Sequence, residues 1–113
     1  MSNLKPPPPT PADISLFEEE GGYVFRDLDG LSLYVHDGDG PLRSRCEGAC
    51  LARWRPLVAA PGSSPVGDWT PFERGDGTRQ WAHRQRPVYV FRGDRPGTLE
   101  GDDPAEGWHR VEP

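Results

Sequence analysis

Residues 14–113 contain short runs in which apolar and polar side chains alternate, separated by turns rich in Gly, Pro and Asp. This period of two is typical of half-buried β-strands, and tight turns between such runs predict antiparallel pairing. The runs are YVFRD (23–27), LSLYVHD (31–37), WTPFER (69–74), TRQWAH (78–83), RPVYVFR (86–92) and WHRV (108–111). We therefore predict an all-β, mainly antiparallel fold in which the first two runs form a hairpin about Asp29-Gly30.

Two segments depart from this alternation. Ser44 and Glu47 have the spacing of a helix capping box, and Pro56 disfavours helix at the residue before it. These signals predict one short helical insert near residues 46–54. The segment MSNLKPPPPTPAD (1–13) has no apolar period and is rich in proline, which predicts a disordered tether with polyproline II character. Residues 14–113 are then predicted to form a single β domain.

The two halves of the chain resemble each other. LYVHDGD (33–39) matches VYVFRGD (88–94), and WRPL (54–57) matches WHRV (108–111) in the same order. The nearly equal spacing predicts a tandem duplication, with repeat one at about 22–60 and repeat two at about 69–112. Neither half can bury its aromatic side chains alone, so we expect the two halves to pack about a pseudo-twofold axis.

The repeated residues are interpreted as mainly structural. We expect both tyrosines and the tryptophans, Trp81 included, to be buried, and each aspartate to accept backbone N–H groups in the turn that follows it. The alternative is a phenol and a carboxylate that line a cleft. The repeated residues are Tyr34, Asp39, Trp54, Tyr89, Asp94 and Trp108.

Composition narrows the class of protein. Gly and Pro number 14 each among 113 residues, while four Trp, three Tyr and four Phe supply the large apolar side chains, so the core depends on aromatics. A net charge of −5 argues against nucleic acid as a partner. We expect the arginines of the middle segment to form a solvated face that pairs with nearby carboxylates. These are Arg74, Arg79, Arg84, Arg86, Arg92 and Arg95.

Targeting and catalytic motifs are missing from the sequence. No run approaches the roughly 18 apolar residues of a membrane helix, and no signal-peptide pattern is present. Motifs for phosphate, dinucleotide, zinc-protease or haem chemistry do not occur either. We therefore predict a protein that is not an enzyme and has no cofactor.

Cys46 and Cys50 stand four positions apart, and three interpretations are open. On a helix they share a face with Cα atoms about 6 Å apart, which suits a disulfide. Two thiolates at this spacing also suit copper or zinc with histidine. Thiol–disulfide redox chemistry is the third interpretation, which a helix N-terminus favours, although the usual C-x-x-C spacing is absent. The candidate metal ligands are Cys46, Cys50, His36, His83 and His109.

Seven segments, taken in order, resemble a bacterial family of secreted repeats, predicted lipoproteins that carry a Y-x-[FWY]-x-x-D motif. The motif falls on Tyr34-x-His36-x-x-Asp39 and on Tyr89-x-Phe91-x-x-Asp94, and His36 departs from it. The segments are DGLSLYVHDGD, CEGAC, WRPL, GDW, DGTRQWAH, RPVYVFRGD and WHRV.

The resemblance implies an extracytoplasmic location, periplasmic or secreted, and a membrane tether through an absent N-terminal segment is one option. It implies no secure biochemical activity. An exported location favours a disulfide between Cys46 and Cys50. The resulting prediction is an exported, non-enzymatic binding or interaction module of unknown ligand. The first alternative is a periplasmic copper or zinc binding protein, and the second is a thiol–disulfide redox protein.

Overall fold

The strands of the protein are short, and all of their pairings are antiparallel. The structure, a computed structural model, describes residues 6–113, so the first five residues of the predicted tether lie outside it. The all-β prediction is confirmed. The strands are β1 (Ile14–Glu19), β2 (Gly22–Asp27), β3 (Tyr34–His36), β4 (Trp54–Pro56), β5 (Trp69–Glu73), β6 (Arg79–His83), β7 (Arg86–Pro87), β8 (Tyr89–Phe91) and β9 (Trp108–Arg110).

The strands form three sheets. β1 and β2 make a two-stranded hairpin, β5, β6 and β7 make a three-stranded sheet, and the remaining strands make a four-stranded sheet in the order β4-β8-β3-β9. Within residues 6–113, no helix has the length and apolar character needed to cross a membrane. The four-stranded sheet takes strands from both halves of the chain.

The two halves exchange strands in this sheet. Each half contains, in order, a hairpin, a strand that begins with tyrosine and a strand that begins with tryptophan. The tyrosine strand β3 pairs with β9 from the other half, and the tyrosine strand β8 pairs with β4 from the other half. At the centre of the sheet, Tyr34 lies opposite Tyr89. This reciprocal pairing is the pseudo-twofold relation that the sequence predicts, while the boundaries assigned to the domain and repeats stay a prediction.

The predicted hairpin about Asp29-Gly30 is wrong. β2 pairs along its whole length with β1, and only an isolated bridge, Arg26↔Ser32, crosses the turn. The turn itself forms, since Asp27 Oδ1 accepts the N–H groups of Asp29 and Leu31. The chain then leaves β2 for the four-stranded sheet. The sequence prediction overlooked β1, which pairs with β2 along one edge, while the other edge of β2 keeps only the Arg26↔Ser32 bridge.

The helical insert is shorter than predicted. It is a 3-10 helix at Gly48–Ala52, and Trp54 already belongs to β4. Ser44 makes no helix cap, because its Oγ accepts the N–H of Cys46. A second 3-10 helix, Pro104–Glu106, stands directly before β9, so each tryptophan strand follows a 3-10 helix.

The buried side chains form two clusters. As predicted, the aromatic residues Trp54, Trp81, Trp108, Tyr34 and Tyr89 are all buried, and the most exposed of them is Trp108 at 9%. Trp81 belongs to the larger, aliphatic-rich cluster with Ile14, Phe25, Leu33, Val35, Leu57, Ala59, Trp69, Val88, Val90 and Val111. We call the smaller cluster the aromatic cluster; it contains Tyr34, Cys46, Trp54, Tyr89 and Trp108.

The end of the predicted tether contacts the domain. Pro11 is buried, and its carbonyl oxygen accepts the N–H of Ile14. The carboxylate of Asp13 accepts the indole N–H of Trp81 at 3.0 Å. These contacts fix the chain on the larger cluster just before β1.

Candidate functional site

The candidate site is a cleft of about 830 Å³ above the aromatic cluster. At its base Trp54 and Trp108, one from each half, stack with ring centroids 3.5 Å apart and ring planes within 8°. His36 and Phe91 pack at the two ends of this pair, against Trp108 and Trp54 respectively. We call it the stack cleft and define it by these four rings, the Cys46–Cys50 pair and the charged side chains around them.

Two hydrogen bonds tie the halves together beneath the cleft. The Tyr34 hydroxyl donates to Asp94 Oδ2, and the Tyr89 hydroxyl donates to Asp39 Oδ2, both at 2.7 Å. Burial is the main cause that raises the pKa of both hydroxyls, and the aspartate acts in the same direction on each. Both phenols are therefore protonated donors at neutral pH.

The second carboxylate oxygen of each aspartate makes the backbone bond that the sequence predicts. Asp39 Oδ1 accepts the N–H of Arg45 at 2.8 Å, and Asp94 Oδ1 accepts the N–H of Glu100 at 2.7 Å. Each bond spans six residues, so Arg45 and Glu100 occupy equivalent backbone positions in the two halves. The sequence did not predict that each aspartate also bonds the other half's tyrosine.

A buried guanidinium supports one wall of the cleft. Arg74 is 7% exposed and donates to Ser44 Oγ, to Gln80 Oε1 and to the carbonyl oxygen of Cys46. The Ser44 hydroxyl is also hydrogen-bonded to the Tyr89 hydroxyl. The prediction of a solvated face is therefore wrong for Arg74, because this arginine holds the cysteine loop from inside.

Other arginines of the middle segment do pair with carboxylates at the surface. Arg84 forms an ion pair with Asp68 at 3.3 Å, and Arg86 forms one with Asp37 at 3.1 Å. Nothing in the sequence distinguishes Arg74 from these exposed neighbours.

Cys46 and Cys50 are joined by a disulfide, with Cα atoms 5.2 Å apart. The metal hypothesis is wrong, because a sulfur in a disulfide is not the thiolate that copper or zinc requires. Among residues 6–113, no group of three or more His, Cys, Asp or Glu side chains is placed to hold a metal ion. Thiol–disulfide exchange at this bond stays a prediction.

His36 is the one predicted histidine ligand that lines the stack cleft. Its ring packs on Trp108 with centroids 4.5 Å apart. Nδ1 accepts the N–H of Gly38, so Nε2 carries the proton and donates to the carbonyl oxygen of Glu106 at 2.9 Å. Both ring nitrogens are therefore engaged in holding the loops beside the cleft.

The other two histidines line a second cleft of about 540 Å³. His83 is buried against the rings of Phe25 and Trp69, and burial lowers its pKa to about 4. His109 Nε2 lies 2.8 Å from Asp37 Oδ2, and this contact holds the pKa of that carboxyl below its usual value. The structure thus places His36 near the cysteines and the other two histidines elsewhere.

Charged side chains of opposite sign line the stack cleft, and the sequence did not predict them as site residues. Within the described part of the chain, none of them takes part in an ion pair. A usable signal was present, since Arg45 and Glu100 follow the repeated aspartates at the same spacing. The first half supplies Arg45 and Arg53, and the second half supplies Glu100, Asp103 and Glu106.

These features define a class of protein: a small all-β module of two interlocked halves with one disulfide. The model of a family described as a secreted repeat of unknown function matches residues 70–112, which extend from β5 through β9. Residues 70–112 are therefore similar to this family, and the resemblance seen in the sequence is confirmed over that range. The description of the family supports an extracytoplasmic location. No curated protein and no solved structure matches the chain.

Proposed function

We propose that this protein is an exported binding module whose ligand site is the stack cleft. One observation carries the proposal: a cleft of about 830 Å³ lies on a pair of stacked indoles contributed by the two halves. Small-molecule sites are typically concave volumes of about 300–1,000 Å³ with aromatic walls and a few polar groups. The stack cleft has this size and aromatic rings at its base, and it is more highly charged than such sites usually are, because six of the residues that line it are charged.

The cleft is preorganised, which favours binding. Its base is fixed by the strand exchange and by the hydrogen bonds of Tyr34 and Tyr89. One wall is fixed by the disulfide and by the contacts of buried Arg74. A site held in this way loses little conformational entropy when a ligand binds.

The state of the polar groups supports binding rather than catalysis. The tyrosine hydroxyls beneath the cleft are neutral and donate to aspartates, while both nitrogens of His36 are engaged with backbone groups. Both oxygens of Asp39 accept hydrogen bonds. Tyr34, Tyr89, His36 and Asp39 are thus committed to positioning the walls. The proposal includes no cofactor and no nucleic acid.

The proposed location is outside the cytoplasm, either in the periplasm or at the cell surface. The description of the matched family as secreted supports export, and a disulfide is typical of oxidising compartments. A membrane tether on the N-terminal side would leave the stack cleft free, because the chain enters the domain at the larger cluster through Pro11 and Asp13.

A fragment screen followed by the indole N–H signals of the four tryptophans tests the proposal. Trp54 and Trp108 line the cleft, whereas Trp69 and Trp81 are buried in the larger cluster and serve as internal controls. We expect hits to shift the Trp54 and Trp108 signals and leave the other two in place. A screen without hits, or hits that shift only Trp69 and Trp81, would contradict the proposal.

Two phenylalanine variants provide a matched control. Phe91 packs on Trp54 in the cleft with ring centroids 4.9 Å apart, whereas Phe17 is an exposed residue of β1. Phe91→Ala is expected to weaken the hits, and Phe17→Ala is expected to leave them unchanged. Equal effects of the two substitutions would place the binding outside the stack cleft.

A further inference from the structure

The stack cleft is electrically polarised by a difference between the two halves. Arg45 and Glu100 hold the same backbone position, because each N–H donates to Oδ1 of the repeated aspartate six residues earlier. Both side chains line the cleft. The relation between the two halves therefore places a cation and an anion at equivalent positions in the lining of the cleft.

The neighbouring charges strengthen this polarity. Arg53 joins Arg45 on the wall from the first half, and Asp103 and Glu106 join Glu100 on the wall from the second half. All five residues are exposed, and within residues 6–113 none of their side chains lies within ion-pair distance of an opposite charge. Opposite charges that share a cleft without contacting each other leave room for a ligand between them.

Asp39, which also lines the stack cleft, forms no ion pair with the arginines of the cleft in the described part of the chain. The carboxylate of Asp39 accepts the Tyr89 hydroxyl and the Arg45 N–H. His36 is held by Gly38 and Glu106 through both ring nitrogens. The charged side chains of the cleft left without a hydrogen-bond partner among residues 6–113 are therefore the two arginines and the three carboxylates, while Asp39 keeps its negative charge beside Arg45.

We propose that the stack cleft binds a zwitterion, namely a short peptide with free ends; this inference rests on the proposed function of the cleft. The peptide carboxylate faces Arg45 and Arg53, since guanidinium groups bind carboxylates through paired hydrogen bonds. The peptide ammonium faces the wall of Glu100. An apolar side chain contacts Phe91 and the small exposed parts of Trp54 and Trp108, which are 6% and 9% exposed. Complementary charges at both ends fix the direction of the peptide.

Four forms of one tripeptide test the ligand class. The probe is alanyl-phenylalanyl-alanine with both ends free, with the amine acetylated, with the carboxyl amidated, or with both ends blocked. Dissociation constants come from the Trp54 and Trp108 indole signals. We expect the free form to bind tightest and each single block to weaken binding about fivefold, which corresponds to about 1 kcal/mol per charged contact.

Two charge reversals assign the ends of the peptide. Arg45→Glu is expected to abolish the effect of amidation while the effect of acetylation persists, and Glu100→Arg is expected to do the reverse. Because each substitution should change the effect of blocking only one end of the peptide, the result separates the loss of one contact from a general change in the protein. Both positions are exposed, so the variants should fold, which a thermal melt verifies. The controls are Arg95→Glu and Glu20→Arg, exposed residues outside the cleft that should change neither effect.

The outcomes separate this inference from the proposed function. If fragments shift Trp54 and Trp108 but the blocked tripeptide binds as well as the free form, the cleft is a binding site and the zwitterion inference is overturned. Tighter binding of dihexanoyl phosphatidylcholine than of any tripeptide overturns it in favour of a lipid headgroup. Indole shifts that depend on protein concentration alone overturn it in favour of a second copy of the chain. No shift with any probe overturns both proposals.

Discussion

Tyr34 and Tyr89 lie opposite each other at the centre of the four-stranded sheet, and each donates its hydroxyl to the aspartate of the other half. The two bonds have the same length and cross between the halves in opposite directions. Together with the exchange of tryptophan strands, they make each half complete the core of the other. The domain should therefore unfold as one unit.

Crossed double mutants test this reciprocal arrangement. Tyr34→Phe and Tyr89→Phe should each lower the free energy of unfolding by about 2 kcal/mol, because the carboxylate of buried Asp94 or of half-buried Asp39 loses its donor. Tyr89→Phe should cost more, since the Tyr89 hydroxyl also bonds Ser44. In urea unfolding, Tyr34→Phe should couple energetically to Asp94→Asn and not to Asp39→Asn. Coupling to the aspartate of the same half would contradict the exchange.

The stacked tryptophans are expected to dominate the stability of the aromatic cluster. Trp108→Ala should lower the free energy of unfolding by about 3–5 kcal/mol, because it leaves a large cavity beside Trp54. The exposed Phe17 provides a control, since Phe17→Ala should cost no more than about 0.5 kcal/mol. Thermal melts of both variants give the comparison. An unchanged melt for Trp108→Ala would show that the stack does not hold the two halves together.

The sequence predicted the second half of the fold better than the first. Strands β5, β6, β8 and β9 fall within predicted runs, and turns with Gly and Asp at 75–77, 93–94 and 101–107 bound one end of each of them. In the first half, β1 has the sequence ISLFEE, and its acidic end obscured the alternation. Because β1 was not predicted, the nearest apolar run after β2 was assigned as the partner of β2. Local pattern does not show which neighbouring run pairs with β2 along its whole length, because tertiary packing decides it.

The sequence predicted the residues that form the scaffold of the candidate site, but it did not predict the charged residues that line the site. The repeated tyrosines, aspartates and tryptophans were identified because duplication preserves the scaffold in both halves. The cleft charges differ between the halves, as Arg45 and Glu100 illustrate, so a search for repeated residues passes over them. Arg74 was missed because the sequence alone does not distinguish a buried arginine from an exposed one. Its burial is apparent only from its contacts with Gln80, Ser44 and Cys46 in the structure.

His83 should make stability depend on pH. Its pKa falls from the ordinary 6.5 to about 4 on folding because burial disfavours the cation, assisted by Arg84 and opposed by Asp68. The unfolded chain therefore binds the proton first, so stability present above pH 6.5 is lost as the pH falls toward 4. The loss is about 3 kcal/mol, because each unit of pKa difference corresponds to about 1.4 kcal/mol.

Urea unfolding between pH 7 and pH 5 measures this dependence, because most carboxylates have not yet taken up protons in that range. His83→Phe, which keeps an aromatic ring beside Phe25 and Trp69, should flatten the curve. The exposed His109 gives the matched variant, and His109→Phe should leave the contribution of His83 in place. A slope that survives His83→Phe would assign the effect to another group.

Buried Arg74 should be far more important for stability than the exposed arginines. Arg74→Met removes the donor to Gln80 Oε1 and to the Cys46 carbonyl oxygen, so we expect a loss of about 2–4 kcal/mol. Arg84→Met is the control, because its ion pair with Asp68 is exposed and should contribute about 0.5 kcal/mol. Equal losses in urea unfolding would show that Arg74 does not hold the cysteine loop.

The last prediction concerns the Cys46–Cys50 disulfide, which closes a very short loop. On the chain-entropy estimate such a bond contributes only about 2 kcal/mol, so the Cys46→Ser, Cys50→Ser double variant should remain folded. The native protein should gain no alkyl groups in intact-mass measurements under non-reducing conditions, and two after reduction. The stack cleft of the double variant should bind the tripeptide less tightly than that of the native protein, because Cys46 and Cys50 form part of one wall. Two alkylations of the native protein without reductant would contradict the disulfide, and full tripeptide affinity in the double variant would show that Arg74 alone is enough to fix that wall.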